Sequence, residues 1–492
     1  MSPELKTLRE AIAGYGARPA LIAADRTLDG REVLAGVAER MHTLDAIGAH
    51  RVALALDNGA DWVMWDLALL FGGRVCVPLP DFFSAAQQRH VLDSAGIDTL
   101  IGDRHEAGPG SGFTASRPGI GQRRPACTPA LPAGTLKITY TSGTTGQPKG
   151  VCLDAAAQLT VAHSIAAVIR DCGVRHHLCV LPLATLLENV AGVYAPLLAG
   201  AGIELRPQAE IGLQGASGFD VGRFLARLGL SRPHSLILLP QLLLALVSAA
   251  ERGLPLPAVL RFAAVGGGRV APGLLQRAAR LGLPVYEGYG LSECASVVCL
   301  NTPSANRPGT VGKPLAHAEV RLAEDGEVLM HGARMLGYLG ESPPAGGWLG
   351  TGDLGHLEHG FLVLHGRKKH QFITAFGRNV NPEWVEAELA QQAPIAQAWL
   401  HGEARAENLA VLVPRAPGCT DAELASAVAA VNRNLPDYAR AHRWLRADEA
   451  FTAANGLATT NGRLRRDALV ARYRPALDES PSPTACKDET PA

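Results

Sequence analysis

The chain has 492 residues, of which 47% are hydrophobic and 19% are charged. This length and composition predict a globular protein with two or three domains. Lys and Arg total 46 and Asp and Glu total 46, so no net charge would attract nucleic acid or an anionic membrane. Nine scattered cysteines without a Cys-x-x-Cys pair predict reduced thiols, no zinc site and a cytoplasmic location.

No stretch of the sequence predicts a membrane span. The most apolar run, Leu236–Ala250, is too short to cross a bilayer and contains Pro240 and Gln241. The N-terminus lacks the basic-then-apolar order of a signal peptide. We therefore expect Leu236–Ala250 to be a buried segment of a domain core.

The first hundred residues alternate between strand-like and helical patterns. Apolar strand-like runs begin at Val52, Val75 and Thr99, and the helical patterns cover Asp61–Phe71 and Gln87–Ala95. Strands that alternate with helices predict a parallel α/β sheet. Residues 105–134 are rich in Gly, Pro and Arg without any period, so we expect an irregular surface connection there.

A loop of ten residues follows the next predicted strand. Thr141–Gly150 reads Thr-Ser-Gly-Thr-Thr-Gly-Gln-Pro-Lys-Gly. Glycines let backbone N–H groups approach an anion, the hydroxyls donate further hydrogen bonds, and Lys149 adds a positive charge. The pattern therefore predicts a polyphosphate site, with a polar hairpin turn as the alternative. It is not the P-loop of NTPases, because Pro148 precedes the lysine and Gly150 follows it.

These ten residues resemble the phosphate loop of the adenylate-forming (AMP-binding) superfamily, which includes acyl-CoA synthetases such as long-chain fatty acid–CoA ligases. The resemblance implies an α/β fold. It comprises a large N-terminal domain of parallel α/β subdomains with a small antiparallel subdomain, and a small mobile α+β C-terminal domain. It also implies that Lys149 and the loop bind ATP phosphates. The loop residues concerned are Thr141, Ser142, Gly143, Thr144, Thr145 and Gly146.

Three consecutive glycines lie between a predicted strand and a predicted helix, Gly273–Gly282. Gly266, Gly267 and Gly268 also match part of a dinucleotide-binding fingerprint, with Glu287 further on. A single match of that kind is weak, and a plain tight turn is another alternative. The superfamily resemblance implies instead that the glycines lie against the nucleotide.

The stretch Val285–Glu293 resembles the superfamily's Tyr-Gly-x-Thr-Glu motif, with Ser292 in place of threonine. The resemblance implies that Tyr289 stacks on adenine and that the Ser292 hydroxyl reaches a phosphate. Glu293 supplies a hard carboxylate oxygen, which suits the Mg²⁺ that accompanies ATP. The same motif places three further residues at the nucleotide: Glu287, Gly288 and Gly290.

Two later motifs complete the expected nucleotide site. The run 307–332 predicts short antiparallel strands. The resemblance then makes Asp353 the acceptor for both ribose hydroxyls, Arg367 a second ribose contact and Lys369 a hinge. A turn aspartate and an exposed basic patch are the alternatives. The expected domains are 1–368 and 369–478, followed by a disordered tail over 479–492.

The last motif contains the largest departure from the superfamily pattern. Arg463 stands where the superfamily has a lysine that bridges the carboxylate and the α-phosphate. Arginine keeps the charge but presents a planar fork of donors. We therefore expect Arg463 to act in adenylation, with an exposed basic segment as the alternative.

The segment after Pro182 lines the acyl pocket in acyl-CoA synthetases and usually carries an aromatic residue and a histidine. Ala184 and Thr185 stand at those positions here. The residues around Ala184 and Thr185 are mostly apolar and predict that the substrate is a fatty or otherwise hydrophobic acid. Glu188 is the only acidic residue nearby in the sequence. The apolar residues are Leu183, Leu186, Leu187 and Val190. We see no fused carrier domain, so we expect coenzyme A as the thiol acceptor, with a separate acyl-carrier protein as the alternative.

The implied reaction has two steps. A carboxylate attacks the α-phosphate of ATP·Mg²⁺ and gives an acyl-adenylate and pyrophosphate; a thiol then displaces AMP. Lys149, Arg463 and Mg²⁺ at Glu293 are the cations expected to neutralise the two anions. A nucleotide-binding regulator with impaired adenylation is the alternative of another class, because the pocket histidine is missing and Arg463 replaces lysine.

Overall fold

The computed structural model describes residues 2–102, 112–141, 148–214, 218–254, 258–341, 346–459 and 462–478. The chain divides into two compact units, Met1–Gln371 and Phe372–Ala492. The second unit begins shortly after Lys369, the residue at which the sequence predicts the hinge. Six residues of the predicted phosphate loop, and the tail 479–492, lie outside the described residues; the six are Ser142, Gly143, Thr144, Thr145, Gly146 and Gln147.

The strands of the first unit belong to two large mixed sheets, a four-stranded sheet and one small hairpin. In chain order they are β1 (Pro19–Ile22), β2 (Thr27–Asp29), β3 (Arg51–Leu54), β4 (Val75–Pro78), β5 (Thr99–Ile101), β6 (Thr114–Arg117), β7 (Ile120–Gln122), β8 (Lys137–Thr141), β9 (Lys149–Leu153), β10 (His176–Leu178), β11 (Gly202–Glu204), β12 (Leu213–Gln214), β13 (Gly218–Phe219), β14 (Ser235–Leu238), β15 (Phe262–Val265), β16 (Val285–Leu291), β17 (Ser296–Leu300), β18 (Lys313–Pro314), β19 (Ala318–Leu322), β20 (Glu327–Gly332), β21 (Gly337–Tyr338), β22 (Leu349–Glu358) and β23 (Phe361–Arg367).

The α-helices of the first unit are α1 (Pro3–Ala13), α2 (Gly30–Ala46), α3 (Ala60–Phe71), α4 (Ala85–Ser94), α5 (Ala155–Asp171), α6 (Ala195–Ala199), α7 (Gln208–Ile211), α8 (Val221–Ser231), α9 (Pro240–Glu251) and α10 (Pro272–Arg280). A π-helix covers Glu188–Tyr194, and short 3₁₀ turns cover Ser292–Cys294 and Lys368–His370. Within the described residues, no helix has both the length and the apolar character needed to cross a membrane.

The sheets confirm the predicted fold class. A nine-stranded sheet has the order β18-β17-β16-β15-β14-β10-β11-β1-β2, and its strands from β1 to β16 are joined in parallel. An eight-stranded sheet has the order β21-β9-β8-β4-β3-β5-β7-β6. The predicted antiparallel subdomain is the four-stranded sheet β19-β20-β22-β23. The apolar run Leu236–Ala250 forms most of β14 and α9, and most of its residues are buried, as predicted.

Two parts of the first unit differ from the sequence prediction. Strands β6 and β7 form a hairpin within the segment expected to be irregular, because β7 pairs antiparallel with β5 at the edge of the sheet. Pairing between distant residues leaves no periodic signal in so short a run. The sequence after Pro182 predicts a helix through Leu198, and the structure forms part of it as the π-helix Glu188–Tyr194, which continues as α6.

The second unit is a compact α+β structure with its own hydrophobic core. Its elements are β24 (Phe372–Ile373), β25 (Asn379–Val380), α11 (Pro382–Ala390), β26 (Ile395–His401), β27 (Asn408–Pro414), α12 (Asp421–Asn432), a 3₁₀ turn (Asp437–Ala439), β28 (Ala441–Arg446) and α13 (Arg466–Asp478). Pro382 opens α11, since proline fits the first helical turn. Helix α13 was not predicted from the basic sequence that precedes it.

Candidate active site

The glycine turn after β15 packs directly against β16. Gly267 has a φ of +77°, in the left-handed region that glycine adopts readily. A Cβ on Gly266 would lie 3.3 Å from the carbonyl oxygen of Gly288. A Cβ on Gly290 would lie 1.9 Å from the carbonyl oxygen of Ser296, so a side chain cannot fit there. Gly266 therefore allows the turn to approach β16, and Gly290 allows β16 to approach β17, more closely than side chains would permit.

Asp353 lies between two side chains predicted for the same site. Its Oδ2 accepts a hydrogen bond from Tyr289 Oη at 2.7 Å, and its Oδ1 lies 2.9 Å from Arg367 Nε. Arg367 Nη1 also donates to the carbonyl oxygen of Thr351 at 3.0 Å. Asp353 and Arg367 face each other across β22 and β23. Burial and the Asp353 charge raise the pKa of Tyr289, so the phenol stays a donor. The three residues thus form one ordered cluster.

Glu293 lies in a strained turn between β16 and β17. Its side chain accepts a hydrogen bond from Tyr338 Oη at 2.7 Å. Directly after the turn Ser292–Cys294, Ala295 and Ser296 have φ values of +56° and +117°. Non-glycine residues in such conformations cost on the order of 1–3 kcal/mol each and often occur at functional sites. The backbone around Glu293 is therefore held in place by its surroundings.

Lys149 is the first residue of β9, opposite Thr141 on β8. Its Nζ lies 3.0 Å from Glu341 Oε1 and 5.3 Å from the ring centroid of Tyr338. Both members of this ion pair are about half exposed, and exposed pairs contribute little to stability. The Lys149 ammonium group can therefore leave Glu341 and bind an incoming anion at low cost in free energy.

Tyr338 connects Lys149 with Glu293. It reaches both because β21 pairs antiparallel with β9, with Tyr338 opposite Val151. Burial and the Glu293 charge raise the pKa of Tyr338, while the charge of Arg367 opposes the rise. The charge of Arg367, which belongs to the Asp353 cluster, thus acts on the tyrosine that holds Glu293. Sequence reasoning missed Tyr338 and Glu341, because only the pairing of two distant strands brings them to the site.

Glu287 is 8% exposed and lies on β16 between α10 and Asn301. Burial raises the pKa of its carboxyl to about 8, although the nearby Arg269 opposes this. The backbone carbonyl of Glu287 accepts hydrogen bonds from the backbone N–H and the side-chain amide of Asn301. The neutral acid form is thus favoured at neutral pH, and the side chain lines a small pocket beside α10.

Two further predicted residues, Lys369 and Arg463, are exposed. Lys369 is exposed on the 3₁₀ turn Lys368–His370, and Lys368 binds Asp325 and Glu327 of the first unit. Arg463 belongs to the second unit and is exposed in a tight turn, where its carbonyl oxygen accepts from the Thr459 N–H.

Known proteins resemble this chain in sequence and in fold. Residues 8–339 match the AMP-binding enzyme family. A long-chain-fatty-acid–CoA ligase, FadD15, of Mycobacterium bovis is 27% identical over 443 residues, which cover 72% of this chain and 71% of that protein. A Mycobacterium tuberculosis enzyme named 3-[(3aS,4S,7aS)-7a-methyl-1,5-dioxo-octahydro-1H-inden-4-yl]propanoyl:CoA ligase is 30% identical over 429 residues, covering 78% and 82%.

A solved structure with the same fold is that of the anthranilate CoA ligase AuaEII in complex with anthranoyl-AMP. It has a TM-score of 0.80 at 18% identity and covers 96% of this chain and 98% of that chain. The chain therefore belongs to the AMP-binding enzyme family. This confirms the superfamily predicted from the four sequence motifs, and both named relatives are CoA ligases.

Proposed function

We propose that the protein is an ATP-dependent acid–CoA ligase that forms an acyl-adenylate and then a thioester. The observation that carries the proposal is the cluster of Asp353, Tyr289 and Arg367 beside the glycine turn. A buried carboxylate held by two donors retains lone pairs for hydroxyl donors such as those of a ribose. The family membership supports this assignment, and the naming of both relatives as CoA ligases supports the reaction class.

The chain's own residues act mainly by positioning and charge neutralisation. Lys149 leaves Glu341 and binds a phosphate oxygen of ATP, which lowers the repulsion between the acid and the nucleotide. Tyr289 is anchored through its hydroxyl, so its ring is fixed in one orientation for stacking on adenine. Asp353 and Arg367 fix the ribose and so align the α-phosphate with the attacking carboxylate.

Glu293 is the proposed ligand of Mg²⁺. A single carboxylate suits this ion, which commonly binds one or two protein carboxylates together with substrate phosphates. A magnesium ion held there would neutralise phosphate charge and so favour departure of pyrophosphate. The hydrogen bond from Tyr338 fixes one oxygen of Glu293 and leaves the carboxylate facing the same region as Lys149.

The proposed acid is hydrophobic. Both named relatives act on acids with large apolar parts, and the segment that follows Pro182 is itself apolar. Leu183, Leu186 and Val190 are buried, and Leu187 packs against the same core. Coenzyme A is the proposed acceptor, and the names of the relatives favour it over a separate acyl-carrier protein.

The roles of Lys369 and Arg463 remain part of this proposal. Lys369 lies at the end of the first unit, and Lys368 anchors that end through Asp325 and Glu327. Motion of the second unit would therefore begin at Lys369 or just after it. The exposed guanidinium of Arg463 can bridge a carboxylate and a phosphate.

All eight cysteines in the described part of the chain are free, which supports a reducing, cytoplasmic environment.

The test is pyrophosphate release from ATP with a panel of carboxylic acids, with and without coenzyme A, and with products identified by mass spectrometry. We expect acyl-AMP without coenzyme A and acyl-CoA with it. Glu293→Gln should lose activity by orders of magnitude, whereas the exposed Glu324→Gln should not. Tight nucleotide binding without pyrophosphate release from any acid would instead identify a regulator.

A further inference from the structure

A buried cluster in the first unit is not used by the proposed reaction. It consists of His177 in β10, Cys179 just after it, and Glu188, the first residue of the π-helix. Their exposed fractions are 2%, 0% and 0%. One nitrogen, sulfur or oxygen atom from each lies within 4.8 Å of the other two. In the described parts of the chain, no other group of three such side chains comes this close.

Three buried polar atoms of the cluster have no hydrogen-bond partner among the described residues. His177 Nε2 and both carboxylate oxygens of Glu188 are buried without a hydrogen-bond partner, whereas the Cys179 thiol donates to the carbonyl oxygen of Gly192 at 3.4 Å. Nε2 lies 3.6 Å from Glu188 Oε1, which is longer than a hydrogen bond. A buried carboxylate without a partner is costly, because it loses its hydration and gains nothing in return. These atoms therefore indicate a missing ligand.

The surroundings hold the three side chains and keep the space between them clear. Ser235 Oγ lies 2.9 Å from His177 Nδ1 and fixes the imidazole ring, so Nε2 faces Glu188. A Cβ on Gly192 would lie 2.6 Å from Glu188 Oε1 and 3.1 Å from His177 Nε2. Glycine at 192 thus avoids filling the cluster, and π-helical turns of this kind often occur at functional sites.

We propose that His177, Cys179 and Glu188 bind a zinc ion. Tetrahedral zinc takes imidazole, thiolate and carboxylate ligands with bonds of about 2.0–2.3 Å, which places neighbouring ligand atoms roughly 3.3–3.8 Å apart. The 3.6 Å between Nε2 and Oε1 falls within that range. A thiolate and a carboxylate neutralise the two charges of the ion, as burial requires. Thiolate ligation also selects against Mg²⁺, so this site is separate from the one at Glu293.

The ion would have a structural role. It would join β10 to the start of the π-helix and so close the segment between them, which contains Ala184 and Thr185. The site is fully buried, so the ion is expected to enter during folding. The proposal departs from the expectation, drawn from cysteine spacing, that the chain contains no zinc site.

The experiment uses the full chain, without an affinity tag, expressed in medium supplied with either zinc or cobalt(II). Bound metal is measured by mass spectrometry after passage over a chelating resin, and cobalt–thiolate absorption is measured in the near ultraviolet. The variants are Cys179→Ser and Glu188→Gln, with Cys299→Ser as the matched control. Cys299 is equally buried, in β17, outside the cluster.

We expect about one bound zinc per chain in the wild type and in Cys299→Ser, and at least a tenfold lower occupancy in Cys179→Ser. The cobalt–thiolate band should be present in the wild type and absent in Cys179→Ser. Folded wild-type protein that carries no stoichiometric metal and shows no cobalt–thiolate band would overturn the proposal, and so would normal occupancy in Cys179→Ser. The wild-type spectrum decides the matter even where a variant does not fold.

Discussion

Tyr338 donates a hydrogen bond to Glu293 across 2.7 Å, and the ring of the same tyrosine lies 5.3 Å from Lys149 Nζ. One side chain thus contacts both the proposed metal ligand and the proposed phosphate-binding cation. No sequence motif identified Tyr338, and the pairing of β21 with β9 is what places it there.

Tyr338→Phe removes only the hydroxyl that holds Glu293. A hydrogen bond to a charged group is worth about 1.5–3 kcal/mol, so we expect adenylation to slow by about tenfold or more and the Mg²⁺ requirement to rise. Pyrophosphate release as a function of Mg²⁺ concentration measures both. Tyr438→Phe, at an exposed tyrosine of the second unit, is the control. An unchanged Mg²⁺ dependence in Tyr338→Phe would show that Tyr338 does not position Glu293.

Asp353→Asn keeps the size of the side chain but removes the charge that holds Arg367. The amide nitrogen of the asparagine would face Tyr289 Oη or Arg367 Nε, which are themselves donors. The cluster should therefore hold a ribose less well. We expect the KM for ATP to rise by at least roughly tenfold, about 1.4 kcal/mol, with a smaller change in the KM for the acid. Asp25→Asn is the control, since Asp25 is an exposed carboxylate beside an arginine. Equal rises in both KM values would count against a ribose role.

Glu287→Gln should change how stability depends on pH. The folded-state pKa of Glu287 is raised to about 8 from 4.5, so between these values the unfolded chain ionises while the folded chain stays protonated. This group therefore lowers the free energy of unfolding by roughly 1.4 kcal/mol per pH unit as the pH rises towards 8. The variant should lack that decline.

Denaturation of the wild type and Glu287→Gln between about pH 5 and pH 9 measures this difference. Glu319→Gln, at an exposed position in β19, should follow the wild type. Parallel curves for wild type and Glu287→Gln would mean that Glu287 is ionised in the folded protein.

Arg463→Ala should slow acyl-adenylate formation by at least roughly tenfold, about 1.4 kcal/mol of barrier. The thioester half-reaction, started from synthetic acyl-adenylate, should change much less. Arg465→Ala is the matched control, because Arg465 belongs to the same basic segment. Equal small effects of both variants would indicate an exposed basic patch without a catalytic role.

Site residues that belong to a local sequence motif could be predicted from the sequence. Tyr289, Asp353 and Arg367 were each found through a local motif, and the structure brings them into one cluster. Their hydrogen bonds were not foreseen, since register across β22 and β23 sets the Asp353–Arg367 contact.

Other features could not be derived from local patterns. Glu188 was noted only as an acidic residue among apolar ones, and its contact with His177 depends on how β10 packs against the π-helix. Helix α13 follows a basic segment and contains Pro475, which normally disfavours a helix interior. In both cases tertiary packing outweighs local preference.

The contact between Lys149 and Glu341 spans 192 positions of the chain, and this has a consequence for folding during synthesis. The β8–β9 hairpin is local and can form soon after it leaves the ribosome, whereas β21 emerges much later. Contacts over long sequence separations also form slowly, because closing the intervening loop costs entropy. A growing chain therefore holds Lys149 in its hairpin long before Tyr338 and Glu341 arrive to contact it.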